Sequence, residues 1–334
     1  MVEQGNHNPL VGGSNPSTAT ILFPKNSFFL THTLLREVIS CNLRDMIKKP
    51  LAVVTMIYNE PEHLQVWRRH YGAQAGESAC YVIDHGSDDG CTAHLGQVNV
   101  VRIPRSPQDD ERRTRAIGKF CDSLLEWYDS VIYTDVDEIL LADPAFVPSL
   151  TEFALLNRSP VVTATGFDVI HRPDEEGPFD YSRPVSLQRR HLRFSSAMCK
   201  PVLTRIPITW APGFHCCEEA VPSLSAPLFL FHLRYADLGS GLARLERTRR
   251  QPWVSEDVGR HQRLDNTDWE NMLLGMAGLP RTESTLDHRD ERLMQWRQQV
   301  EDSTQTRLND LYRLDLHLSG TELWRLPDRF VGRV

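Results

Sequence analysis

The stretch VIYTDVDEILL, residues 131–141, runs from apolar residues into Asp135, Asp137 and Glu138 and back into apolar residues. Carboxylates this close repel at neutral pH, and burying a charge is costly unless something pairs with it. A divalent cation is the expected partner. In an extended segment residues i and i+2 point the same way, so Asp135 and Asp137 would face one ion. Mn²⁺ or Mg²⁺ suits such a pair, because these ions take few carboxylates and fill their shell with phosphate oxygens and water.

Working outward, LAVVTMIY (51–58), ACYVID (79–84), VNVVRIP (98–104) and SVIYTDV (130–136) read as strands. Their continuous apolar, β-branched character is that of strands covered on both faces. EHLQVWRRHYGAQAG, ending near Gly76, and the stretch 109–128 read as helices between them. Strands alternating with helices at this spacing imply βαβ units and a parallel sheet. Ligands of such sheets bind beyond the carboxyl ends of the strands. Three polar clusters fall there: Asn59-Glu60, Asp84 with the turn Gly86-Ser87-Asp88, and Asp135-Asp137. SPVVTATGF (159–167), CKPVLTRIPITW (199–210) and PLFLFHLRY (227–235) read as further strands, and the charged texture after Gly239 reads as helical.

The net charge of −7 and the lack of a basic run give no reason to expect nucleic-acid binding. No apolar run approaches the 18 or so residues of a membrane span, though peripheral membrane attachment stays open. The seven cysteines form no CxxC pair, which indicates neither a zinc ribbon nor a disulfide framework and suits reduced thiols in a cytoplasm. Residues 1–45 are rich in Gly, Asn, Pro and Ser at their start and lack a signal-peptide pattern. They are expected to be a disordered or mis-annotated extension. Gly13-Ser14-Asn15-Pro16 matches a transfer-RNA gene arm read in frame, and Met46 is a plausible start. The expected division is 46–238 for the sheet-bearing domain and 239–334 for a helical region on the same body.

Together VVTMIYNEP, YVIDHGSDDG and VIYTDVDEIL resemble the nucleotide-sugar-binding half of GT-A fold glycosyltransferases, bacterial enzymes related to glycosyltransferase family 2 above all. The resemblance covers residues 51 to about 140 and continues more faintly to about 237. It departs at His85, where that family often has a second Asp. It implies a Rossmann-like, mostly parallel central sheet flanked by helices. It further implies transfer of a sugar from a nucleoside diphosphate donor, a UDP-sugar first, to a glycan, lipid-linked or small-molecule acceptor such as a polysaccharide precursor. By the resemblance Asn59, Glu60 and Asp84, with Gly86, Ser87 and Asp88, hold the nucleoside. Asp135 lies near ribose and metal, and Asp137 ligates the metal. His215 is the candidate for a further metal ligand.

An inverting enzyme also needs a carboxylate base for the acceptor hydroxyl. Glu218 and Glu219, close to His215, are candidates, with Asp168 and Asp237 as rivals. Lys200 could meet a phosphate. His232, set among apolar residues, reads as a satisfied core histidine. Trp210 could stack on an acceptor sugar but reads better as core, and Arg112, Arg113 and Arg115 could meet the diphosphate from a helix N-terminus but read better as a solvated helix face. Two other readings stand beside this one. In a haloacid-dehalogenase-type phosphatase Asp135 would be the nucleophile and Asp137 the acid/base. That motif, however, has a Thr where Ile139 stands and ends the first strand. A non-catalytic nucleotide or sugar binder is the other. No GxGxxG follows any strand, which disfavours a dinucleotide dehydrogenase.

Overall fold

The structure, a computed structural model, describes residues 48–257, 259–308 and 310–333. The expected 1–45 extension, Met46 and Cys41 lie outside the described residues. β1 (Ala52–Ile57), α1 (Pro61–Ala75), β2 (Cys80–Asp84), β3 (Asn99–Arg102), α2 (Asp110–Leu124) and β4 (Val131–Tyr133) follow in order. The four strands are parallel neighbours in the order β3-β2-β1-β4. Pro61 opens α1, where its missing N–H is no loss. The Asp109 carboxylate caps α2 by accepting from the Arg112 N–H at 2.9 Å.

Beyond the acidic loop come β5 (Glu138–Ala142), α3 (Leu150–Leu156), β6 (Val161–Thr163), β7 (Thr165–Val169), β8 (His191–Phe194), β9 (Pro201–Thr204) and β10 (Leu228–His232). β9 joins the first sheet antiparallel to β4, and β6 at its edge pairs antiparallel with β9. The run 159–167, expected as one strand, is divided. A register irregularity at Val162/Thr163 bends the chain, so β6 stays in the first sheet while β7 joins a second. The stretch after Gly239 contains the expected helices, α4 (Leu238–Arg250), α5 (Asn266–Ala277) and α6 (Glu291–Ser303). It also carries strands that were not anticipated: β11 (Arg281–Thr285), β12 (Gln305–Leu308), β13 (Leu311–Arg313) and β14 (Leu323–Arg325). The second sheet runs β11-β14-β8-β7-β10-β5, and β12 pairs with β13. The fold is α/β, with a mostly parallel sheet beside a mixed one.

Helix α1 fixes the acidic loop from below. Its Trp67, fully buried, donates Nε1–H to Thr134 Oγ1 at 3.2 Å. Tyr71 donates its hydroxyl to the Glu138 carbonyl at 3.0 Å and accepts from the Leu140 N–H at 2.8 Å. Trp67 thus brings apolar burial and a hydrogen bond to the loop itself, and Tyr71 does the same for the strand that leaves it. Truncating Trp67 to Ala would cost roughly 3–5 kcal/mol.

Candidate active site

The loop joining β4 to β5 is sewn into both sheets. The Thr134 N–H donates to the Val54 carbonyl at 3.2 Å, the Leu233 N–H to the Asp137 carbonyl at 2.8 Å, and the Glu138 N–H back to the Asp135 carbonyl at 3.0 Å. Asp135 and Asp137 thereby face a cavity of about 250 Å³ at the carboxyl ends of β1 and β4. Tyr58, His85, Arg113, Lys200, His232 and Arg244 also line it.

The acids are already paired. Asp135 accepts from the Arg113 guanidinium and from the Tyr133 hydroxyl at 2.8 Å, with Lys200 Nζ 3.6 Å away. Burial would raise its pKa, but the charges of Arg113 and Lys200 overcome that and hold it at about 2. Asp137 accepts from Arg244, and the same oxygen lies 3.3 Å from His232 Nε2. Its pKa is well below the usual range because Arg244 and His232 outweigh burial. Glu138 meets Lys200 Nζ at 2.5 Å and accepts the Asp135 N–H at 3.1 Å. Burial nevertheless raises its pKa. Glu60 accepts from Arg244 Nε at 2.7 Å and meets His63 at 3.2 Å. His232 Nδ1–H donates to Asp168 at 2.8 Å. Burial alone would make His232 less basic, but Asp137 and Asp168 raise it to about 9, so it is charged at neutral pH and both ring nitrogens donate. Arg113, Lys200, Arg244 and His232 thus bring positive charge to the cluster. The two aspartates share the cavity but not their partners.

Several residues expected at the ligand build the scaffold instead. The Asn59 N–H donates to Ser87 Oγ at 3.1 Å, its amide donates to Asp88 at 2.7 Å, and the Asp88 N–H returns to Asn59 Oδ1 at 3.0 Å. Asp84 is fully buried. It accepts from the Ser87 N–H at 2.7 Å, Thr92 Oγ1 at 3.0 Å and Arg102 Nη1 at 2.8 Å. Gly86 has φ +74°, and a Cβ there would stand 2.9 Å from the Arg105 backbone nitrogen. Asn59, Asp84, Gly86, Ser87 and Asp88 therefore form a closed turn, and the neighbouring His85 reaches the cavity. Arg105 Nη1 donates to His85 Nδ1 at 2.9 Å, and the other ring nitrogen, Nε2, accepts the Ser106 N–H at 3.1 Å and lies 3.0 Å from Ser106 Oγ. Burial and Arg105 lower His85 to about 4, so it is neutral. Arg105 also stacks on the Tyr58 ring at 3.7 Å.

Glu218 and Glu219 are not at the cavity. The Glu218 N–H bonds the Thr209 carbonyl at 3.1 Å, and Glu219 accepts the Thr209 N–H at 2.9 Å, because the bridged pair Trp210–Cys217 returns the chain there. Asp168 lies behind His232, and Asp237 caps α4 by accepting the Ser240 N–H at 2.8 Å. Lys200 lines the cavity while anchored to Glu138, and His215 lines it with Nδ1–H on the Ala197 carbonyl at 2.7 Å.

Sequence reasoning weighed His232 and Arg113 but favoured a core and a solvated role for them, and it missed Arg244. His232 ends β10 in register with Glu138 of β5 and Asp168 of β7, so three polar residues stand side by side across three strand ends. A histidine closing an otherwise apolar strand was the available signal. Arg244 lies 107 residues from Asp137, and no local pattern marks it.

Among the described residues no group of three or more His, Cys, Asp or Glu side chains is arranged to hold a metal. Two donors are at hand, however: Asp137 Oδ2 and His232 Nε2, with Asp168 on the far ring nitrogen. A carboxylate behind a histidine is the arrangement that orients a metal-bound imidazole. The pair fits Mn²⁺ or Mg²⁺ if His232 gives up its Nε2 proton, Arg244 leaves Asp137, and phosphate oxygens and water supply the other ligands.

No protein-family model matches the chain, and no curated protein matches it. Among solved structures it is similar to a mannosyltransferase from Pyrobaculum calidifontis in complex with GDP-Man and Mn²⁺, at 14% identity over 43% of this chain and 45% of that one, TM-score 0.26. It is similar to glucosyl-3-phosphoglycerate synthase from Mycobacterium tuberculosis in complex with Mn²⁺, UDP and glucosyl-3-phosphoglycerate, at 22% identity over 35% and 43%, TM-score 0.25. It is also similar to the galactosyltransferase LgtC with donor and acceptor sugar analogs, at 17% identity over 39% and 55%, TM-score 0.22. The chain spans about half the length of each. Among the described residues no helix is long and apolar enough to cross a membrane.

Proposed function

We propose that this chain is a GT-A-type glycosyltransferase that takes a sugar from a nucleoside diphosphate donor, a UDP-sugar first, to a glycan, lipid-linked or small-molecule acceptor. One observation carries the reading. Arg113, Lys200, Arg244 and His232 converge with Asp135 and Asp137 in a single cavity at the carboxyl ends of parallel strands. That is a site for a polyanion together with a cation.

In this reading Tyr58 and His85 face the nucleoside. Arg113 and Arg244, each with a forked array of N–H donors, suit the diphosphate. Asp137 and His232 would hold Mn²⁺ or Mg²⁺, whose chemistry is to neutralise charge on the departing diphosphate. Asp168 keeps the His232 ring in place, and the Glu138–Lys200 pair fixes the loop that presents Asp137. Residues 46–238 form the donor-binding domain, and the 239–334 region contributes α4 with Arg244. The six described cysteines are free thiols, which supports a reducing compartment such as the cytoplasm.

The test is turnover of a panel of nucleotide sugars with Mn²⁺, read as release of nucleoside diphosphate, beside an Asp137→Asn variant. Release from one donor that the variant loses supports the reading. Release of inorganic phosphate instead favours the phosphatase reading. No release or binding with any donor, in folded protein, overturns the donor-site assignment.

A further inference from the structure

Arg244 stands where a metal held by Asp137 would have to act. Its Nη1 donates to Asp137 Oδ2, the same oxygen that faces His232 Nε2. Its Nε donates to Glu60 at 2.7 Å, so one guanidinium joins the loop between β4 and β5 to the segment after β1. With Arg244 in place, a divalent ion at Asp137 would meet a guanidinium on the carboxylate oxygen it needs. That repulsion is severe in a buried site.

Resting on the proposed donor site, we infer that Arg244 is a positioning residue that couples metal to polyanion: it occupies Asp137 in the free protein and moves onto the diphosphate when donor and metal bind together.

Three features make the exchange feasible. The Arg244 side chain is 22% exposed, so it has room to leave. Glu60 is not stranded when it does, because His63 at 3.2 Å and Arg247 Nη2 at 3.8 Å remain beside it. The helix itself need not move, and its packing opposes movement. Asp237 caps α4, and Gly241 lies so close to Trp269 that a Cβ there would be 2.2 Å from the ring. The motion is thus confined to a side chain on a fixed support. A diphosphate carries the charge that draws Arg244 off Asp137, so the polyanion opens the oxygen the metal needs. By linkage, each ligand then strengthens the other.

The test is calorimetric titration of the full chain with Mn²⁺ alone, pyrophosphate alone, UDP alone, and Mn²⁺ in the presence of pyrophosphate or UDP. Wild-type protein should bind Mn²⁺ weakly by itself and at least about tenfold more tightly with either polyanion present. Arg244→Gln should bind Mn²⁺ alone about tenfold more tightly than wild type, and the gain from a polyanion should shrink to two- to threefold. Arg244→Lys, which keeps charge but loses the fork, should fall between. If Arg244→Gln does not fold, Arg244→Gln with Glu60→Gln removes the carboxylate left unpaired and is titrated instead. Equal Mn²⁺ affinity in wild type and variants, with equal gain from polyanion, overturns the coupling. Coupling to pyrophosphate but not to UDP keeps the exchange while refuting the UDP donor assignment.

Discussion

Lys200→Met isolates the pair that fixes the acidic loop. Lys200 is 4% and Glu138 2% exposed, and their charged atoms are 2.5 Å apart. Removing the ammonium leaves a buried carboxylate without its closest counter-ion, and breaking such a pair costs roughly 3–5 kcal/mol. Asp135 keeps Arg113 and Tyr133, so Lys200 at 3.6 Å adds little there. At about 2–3 °C per kcal/mol for a body of this size, the melting temperature should fall by roughly 6–15 °C. Burial already raises Glu138 above its ordinary 4.5, and Lys200 works against that rise, so the variant should raise it further. A raised folded pKa gives stability that is complete below the unfolded value and lost as pH climbs through the folded one. The defect should therefore be smaller at pH 5 than at pH 8. Adding Glu138→Gln should recover most of the loss. Urea denaturation at both pH values reads the wild type and both variants. A Lys200→Met protein within 1 kcal/mol of wild type at pH 8, or a loss that ignores pH, refutes the reasoning.

Two further outcomes can be checked. His70 in α1 is buried with Nε2–H on the Leu140 carbonyl at 2.8 Å, and burial lowers it from 6.5 to about 4. It is neutral when folded while the unfolded chain takes up a proton, so stability is complete above pH 6.5 and falls as pH drops toward 4. Between pH 6.5 and 5 the loss from this group is about 2 kcal/mol, and in urea melts His70→Gln should lack that share. Gly86→Ala forces a side chain into left-handed backbone and against Arg105, which should cost roughly 2–4 kcal/mol in melts and loosen His85 at the cavity wall.

What was legible followed from locality. β1 to β4 with α1 and α2 came from apolar periods inside single segments, and the parallel order put three polar clusters at one edge before any contact was known. β5 escaped because it follows the acidic loop directly and its partner β10 lies far along the chain, and β8 because its four residues, HLRF, are too short a run to set a period. The 84–88 turn was misread for a chemical reason. Asn, Asp, Ser and Gly are the residues that contact nucleosides and also the residues that close tight turns through their own side chains. Here Asn59, Asp84 and Ser87 spend their hydrogen bonds on one another. His232 was misjudged from its apolar neighbours, although alternation along β10 gives them no say in what a strand-end side chain faces. The opening question, what pairs with three neighbouring acids, had part of its answer out of local reach, because Arg113 of α2 and Arg244 of α4 arrive as counter-ions beside the expected cation.

The most direct test of the account is a crystal structure of the protein with Mn²⁺ and UDP, using anomalous scattering at the manganese edge. The account predicts one strong peak at bonding distance from both the Asp137 carboxylate and His232 Nε2, with diphosphate oxygens on its open side and Arg244 withdrawn from Asp137. A manganese bound elsewhere, or diphosphate held in the cavity while Arg244 and His232 remain on Asp137, would contradict it.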